Sequence, residues 1–276
     1  MKNVLITGCS SGIGYSAACI LHEKGYQVLA TVRNIADAKR LQNLGINCIE
    51  LDLNESQTII DAVAFASECF NGRIDVLFNN AAYGQPGAVE DLKRHVLREQ
   101  FETNVFGTQE LTNLVIAMMR QQGHGRIIYN SSVLGIISLA YRGAYNASKY
   151  AIEGLADTLR LELSNTGIYI SLIEPGPITS QFRANAFAKF QQHVDKQTSA
   201  HRDTYEAMEA RLTAVGPAAP FTLTAEAVVD KLLHAIESKR PKIRYYVTFP
   251  TYLFATLKRL LPHRCLDWVL TKVSDS

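Results

Sequence analysis

Short apolar runs alternate along the chain with longer stretches whose apolar residues recur at helical spacing. Runs at 3–7, 27–31, 47–51, 76–79, 126–130, 168–173 and 244–248 read as strands. Several are almost continuously apolar, as strands buried on both faces must be. Helical patterns lie between them, near 12–24, 55–70, 89–121, 145–165 and 225–238. The alternation predicts a single-domain α/β fold: a doubly wound, seven-stranded parallel sheet with helices on both faces. No repeat, linker or low-complexity segment interrupts it.

Two regions depart from the rhythm. Residues 180–220 contain no clear strand and read as a helical excursion that ends in the turn Gly216-Pro217-Ala218-Ala219-Pro220. Residues 250–270 are apolar and basic, with Tyr252, Leu253, Phe254, Leu257, Leu260 and Leu261 interleaved with Lys258 and Arg259. Pro250 and Pro262 bracket a helix there of about eleven residues, short for a membrane anchor. The chain therefore divides into a main α/β unit, 1–249, and a C-terminal extension, 250–276.

Composition narrows the class. At 276 residues, 47% hydrophobic and 20% charged, the chain reads as an ordinary globular protein. A net charge of +2 argues against a nucleic-acid binder. From Lys231 onward, nine Lys/Arg oppose Glu237, Asp267 and Asp275, a local +6 that leaves about −4 for the rest. The five cysteines, 9, 19, 48, 69 and 265, are odd in number and lack CxxC spacing. They fit free thiols in a reducing, cytoplasmic compartment. The strand pattern begins almost at once, which leaves no room for a signal peptide, and no apolar run is long enough to span a bilayer. The seven histidines show no HExxH or similar spacing, so no metal site is predicted.

The candidate chemistry begins after the first strand, at Thr7-Gly8-Cys9-Ser10-Ser11-Gly12-Ile13-Gly14. Glycines there let the backbone turn sharply and approach a pyrophosphate. The helix that follows presents free N–H groups and a partial positive charge to the anion. The second strand ends without the Asp or Glu that commonly holds the ribose 2′-hydroxyl of NAD; Arg33 follows it instead. Arg33, with Ser10, would pair with a 2′-phosphate, so NADP is the expected cofactor, NADPH preferred over NADH. Asp52 could accept from the adenine amine, with helix capping as its competing role.

Tyr145 and Lys149 lie four apart on a predicted helix and so share a face. A phenol has an unperturbed pKa of about 10. A nearby cation can lower that value by roughly 1–3. The pair thus offers a group that can exchange a proton with an alcohol or ketone.

Taken together, Thr7 to Gly14, Asp52-Leu53, Asn79-Asn80-Ala81, Asn104-Val105-Phe106-Gly107, Ser132, Tyr145 to Lys149 and Pro175-Gly176-Pro177-Ile178-Thr179 resemble, in order and spacing, the short-chain dehydrogenase/reductase family in its single-domain branch. The likeness is strong over 1–180 and looser beyond. It departs at Ala82, where the family usually has Gly. The resemblance implies a Rossmann-type fold and an oxidoreductase. It makes Tyr145 the acid in reduction and the base in oxidation, and Lys149 the partner that holds the nicotinamide ribose and favours the tyrosinate. Ser132, thirteen residues before Tyr145, would hydrogen-bond the substrate oxygen, with Ser131 as second choice. Asn104 would complete a proton relay through a water on the Lys149 side. Gly8, Ser10, Ser11, Gly12, Ile13, Gly14, Arg33, Asp52, Leu53, Asn80, Ala81, Tyr145, Lys149, Pro175, Gly176, Ile178 and Thr179 would line the cofactor.

Residues 180–220 stand where this family builds its substrate lid. Phe182, Phe187, Phe190, Tyr205, Met208 and Leu212, with Leu134, Ile136, Leu139 and Tyr141, suit a lipophilic aldehyde, ketone or alcohol, or else simply close the core. The chain looks most like retinol- and hydroxysteroid-dehydrogenase-like members, and within them like bacterial NADP-dependent aldehyde reductases. The alternatives are a 3-oxoacyl-carrier-protein reductase and a non-catalytic cofactor-sensing scaffold. A homo-oligomer, dimer or tetramer, is expected. The apolar face of 250–270 would cap the pocket, pack in an oligomer interface, or rest peripherally on an anionic membrane.

Overall fold

The computed structural model describes residues 1–214, 216 and 219–275. Seven strands form one all-parallel sheet: β1 (Asn3–Ile6), β2 (Gln27–Val32), β3 (Asn47–Glu50), β4 (Val76–Asn79), β5 (Gly125–Asn130), β6 (Ile168–Glu174) and β7 (Arg244–Tyr246). Their order is β3-β2-β1-β4-β5-β6-β7, the doubly wound Rossmann-like topology expected. Val4 pairs with both Val28 and Val76, so β1 is central, and Val4, Leu5 and Ile6 are all fully buried. Apolar side chains on both faces of such a strand explain its unalternating sequence.

Each face of the sheet carries a hydrophobic layer. On one, α1 (Gly12–Glu23) and α9 (Glu226–Glu237) pack on Val4, Ile6, Phe78 and Ile128. On the other, α3 (Ser56–Cys69), α5 (Thr108–Gln122) and α6 (Gly143–Glu162) pack on Leu5, Leu77, Ile127 and Leu172. The strand order reverses between β1 and β4, which opens a crevice at their carboxyl ends. The phosphate-type turn and Asn80-Ala81 meet there.

The helix expected over 89–121 is broken. A 3-10 turn (Val89–Asp91), α4 (Arg94–Phe101), a π-helical turn (Glu102–Gly107) and α5 replace it. Between β2 and β3 lies a short helix, α2 (Ala38–Gln42). The excursion after β6 holds α7 (Phe182–His193) and α8 (Arg202–Thr213). The turn predicted at 216–220 includes 217 and 218, which lie outside the described residues. The chain ends in two helices, α10 (Phe249–Leu260) and α11 (His263–Asp275), where the sequence pattern marked one. Among the described residues, no helix is long and apolar enough to cross a membrane.

Candidate active site

The turn after β1 is built for close backbone approach. A Cβ on Gly14 would fall 2.2 Å from the Gly8 carbonyl oxygen, and one on Gly8 would fall 2.8 Å from the Ala81 Cα. Ser11 caps α1 without a side-chain hydrogen bond, which leaves the first N–H groups of the helix to an anion. Thr7 Oγ1 accepts from the N–H groups of Asn80 (3.0 Å) and Ala81 (2.9 Å) and fastens the turn to β4. These features fit a dinucleotide pyrophosphate.

At the end of β2, Arg33 is exposed, and the Thr31 carbonyl accepts from Cys9 N–H (2.8 Å). Arg40, which sequence reasoning did not single out, donates from Nη2 to the Ser10 carbonyl (2.7 Å) and lies 3.9 Å over the Tyr15 ring. It belongs to α2, so no strand-end motif marks it. Asp52 caps no helix: its Oδ1 accepts from Asn54 N–H in a local turn (3.0 Å). Leu53 is buried, and its carbonyl lies against Gly107 in the π turn.

Polar contacts run from this cradle to Lys149. Asn80 Nδ2 donates to the carbonyls of Thr7 (2.9 Å) and Gly8 (3.2 Å). Asn130 Nδ2 donates to Asn80 Oδ1 (2.9 Å), and Lys149 Nζ donates to the Asn130 carbonyl (2.7 Å). Lys149 Nζ lies 5.6 Å from the Tyr145 ring centroid. Ser132 hydrogen-bonds the Tyr145 phenol, and its Oγ also accepts from Leu134 N–H (3.1 Å).

Burial raises the Tyr145 pKa, and the Ser132 hydrogen bond opposes that rise. The phenol therefore stays protonated at neutral pH. Burial, and not the Lys149 cation, sets the direction of the shift. Burial also pulls Lys149 down to about 8, against an upward pull from Glu153.

Asn104 stands in the π turn. Its Nδ2 donates to the Tyr83 carbonyl and Ser148 Oγ, both at 3.0 Å, and its Oδ1 accepts from Tyr83 N–H (3.1 Å). Its amide thus engages Tyr83 and, through Ser148, α6. Ser131 and Ser132 point apart, as successive strand residues do. Ser131 Oγ donates to Glu153 Oε1 (2.5 Å).

Behind that serine lies a half-buried charge cluster the sequence did not signal. Arg244 reaches Glu153 (3.0 Å), Asp157 (2.7 Å) and Glu174 (3.2 Å). Burial, reinforced by the Glu153 charge, holds Glu174 well above the usual carboxylate range. Its members come from α6, β6 and β7, so only the fold unites them.

The Pro175-to-Thr179 segment crosses the cleft. The Pro175 carbonyl accepts from Val133 N–H (2.8 Å), and Thr179 N–H donates to the Leu223 carbonyl (2.9 Å). A Cβ on Gly176 would fall 2.2 Å from Thr248 Oγ1. Ile178 packs against the layer that holds Ile13. At the mouth, the Phe182 ring meets Tyr145 edge-on at 5.3 Å and lies over Gly84. Phe254, Leu266 and Leu270 of the last two helices join Leu134, Ile137 and Tyr145 in one apolar cluster.

Comparison with known proteins agrees with this geometry. A profile of the "short chain dehydrogenase" family matches residues 2–191. The chain is 41% identical to "Uncharacterized oxidoreductase YbbO" of Escherichia coli (strain K12), over 98% of this chain and 94% of that one. It is more distantly similar to "Retinol dehydrogenase 8" of Homo sapiens, at 33% identity over 93% and 85%. A crystal structure of a short-chain dehydrogenase from Streptomyces avermitilis superposes with a TM-score of 0.78 at 26% identity, covering 99% of this chain and 95% of that one. With the profile over most of its length and the YbbO match end to end, the chain belongs to the short-chain dehydrogenase/reductase family and is an NAD(P)-dependent oxidoreductase.

Proposed function

We propose that this protein is an NADP(H)-dependent reductase of lipophilic aldehydes or ketones, with Tyr145 as the proton donor. One observation carries the reading: the buried Tyr145 phenol stands at the junction of a dinucleotide cradle and an apolar cluster. The bound nicotinamide would supply the hydride. The protein's part is the proton and the electrostatics. Ser132 Oγ–H and Tyr145 Oη–H donate to the carbonyl oxygen as charge develops on it, and Tyr145 then gives up its proton there. The Lys149 cation stabilises the phenolate left behind. Gly8 to Gly14, Asn80, Ala81 and the Pro175-to-Thr179 strip would hold the cofactor, with Arg33 and Arg40 at the 2′-phosphate.

Arg33 directly after β2, with no acid at the strand end itself, and Arg40 on the Ser10 carbonyl support NADP. Leu134, Phe182 and Phe254 around the phenol, and a relative named for retinol, support a lipophilic substrate. The test is NADPH oxidation across aldehydes, ketosteroids, retinoids and oxoacyl thioesters. The expected result is turnover of the first three classes. Turnover confined to oxoacyl thioesters would move the reading to acyl-chain reduction. Tyr145→Phe should slow reduction on the order of 10²–10⁴-fold. Its NADPH affinity should stay within about twofold, because the cofactor contacts remain. Appreciable reduction by the variant would defeat the proton-donor role.

A further inference from the structure

His95 and Glu99 stand one turn apart on α4, and His193 ends α7. Their donor atoms all lie within 4.8 Å of one another. His193 Nε2 is 3.4 Å from Glu99 Oε2. That separation matches the ligand-to-ligand edge, about 3.4 Å, of a tetrahedral site with metal–ligand bonds near 2.0–2.1 Å. The His193 side chain is only 7% exposed, and its Nε2 is enclosed, facing Glu99 without making a hydrogen bond. An enclosed imidazole nitrogen that faces a carboxylate yet makes no hydrogen bond leaves room for an ion between the two. Exposed His95 gives the ligand a way in.

We propose that His95, Glu99 and His193 form a binding site for a divalent transition-metal ion, Zn2+ by donor chemistry, which staples the lid helix α7 to α4. Two imidazoles and one carboxylate suit Zn2+ and leave a fourth position for water. Lys189 also approaches Glu99 Oε2, at 3.4 Å. Its side chain is long and partly exposed, so it can yield to the ion.

The position gives the staple a consequence. The other end of α7 carries Phe182 against Tyr145, and α4 runs directly into the π turn that holds Asn104. Fixing the far end of α7 therefore limits how the lid moves over the phenol. Sequence reading missed the site because His193 arrives from a distant helix.

The test is Zn2+ titration of the full chain against a chromophoric chelator, in a Cys265→Ser background that removes the one exposed thiol among the described residues. One Zn2+ per chain is expected. Glu99→Gln and His193→Gln, each checked for folding by circular dichroism, should weaken binding at least about tenfold. Co2+ should give the intense visible bands of a tetrahedral site without a thiolate charge-transfer band, and His95→Ala should lose them. Zn2+ should raise the Tm of the parent and not of the variants. No saturable binding, or unchanged affinity in the folded variants, would overturn the site.

Discussion

At Tyr145 and Lys149, burial acts on both groups in the direction of neutrality, since a buried site disfavours whichever form is charged. The phenol is thereby kept as an acid and the ammonium is weakened. The sign for pH follows. Lys149 is cationic below about 8, and the stabilisation it lends the phenolate is lost as pH rises through that value. The kcat/KM for reduction should therefore fall above about pH 8, by up to tenfold per pH unit. A profile flat to about pH 10 would show that bound cofactor restores the usual lysine value. Arg33 and Arg40 make a second residue-scale case. Each charge-assisted hydrogen bond to a phosphate is worth about 1.5–3 kcal/mol. Replacing Arg33 by Asp, or Arg40 by Ala, should lower the NADPH-to-NADH ratio of kcat/KM by roughly 10–100-fold. An unaltered ratio in both would assign the 2′-position to another group. Tyr145, Lys149 and Arg33 were visible as candidates in the sequence, the first two given roles by the family resemblance and Arg33 by its place after the second strand. Arg40 was not, because only the packing of α2 brings its guanidinium to Ser10.

Strands were legible as elements because burial on both faces writes itself as unbroken apolar runs. The long helical pattern after β4 was not, because its break depends on tertiary contact. Gly107 packs so closely that an added Cβ would fall 1.8 Å from the Leu53 carbonyl oxygen. That approach, with the Asn104 ties to Tyr83, coincides with the π turn between α4 and α5. Two glycines with the same side chain should accordingly respond in opposite ways. Gly107→Ala forces the β3 loop or α5 to move and should destabilise by about 1–3 kcal/mol or more. It should also lower kcat, because Asn104 sits in the same turn. Gly154 lies inside α6 with open space where a Cβ would stand. Gly154→Ala should stabilise by about 0.5–1 kcal/mol, since the helix loses its most flexible residue. Urea melts of both variants check the pair; equal shifts would show that close approach does not govern Gly107.

For the molecule as a whole, the two terminal helices bear most directly on what the cleft accepts. Residues 1–249 hold every strand of the sheet and the whole cofactor cradle. α10 and α11 supply Phe254, Leu266 and Leu270 to the cluster that includes Tyr145. Lys258 further ties α10 to the loop between β5 and α6 by donating to the Ile136 carbonyl, and Ser274 Oγ accepts from Ala140 N–H (3.2 Å). The sequence marked 250–270 as amphipathic and left three uses for its apolar face. It could not choose among them, because what an apolar face covers is set by tertiary docking. Docking against Leu134 and Tyr145 favours the pocket cap. Removal of residues 250–276 should then act on the substrate side. Each large apolar side chain withdrawn from a buried contact is worth about 1.5–3 kcal/mol. The KM for a lipophilic aldehyde should rise about tenfold or more, while NADPH affinity stays within about twofold because the cradle keeps its contacts. The same deletion opens Tyr145 to water and relieves the burial that raises its pKa, so a basic limb from the phenol should move to lower pH. Unchanged KM and pH profile in a folded, NADPH-binding truncation would transfer the apolar face from the pocket to an external surface.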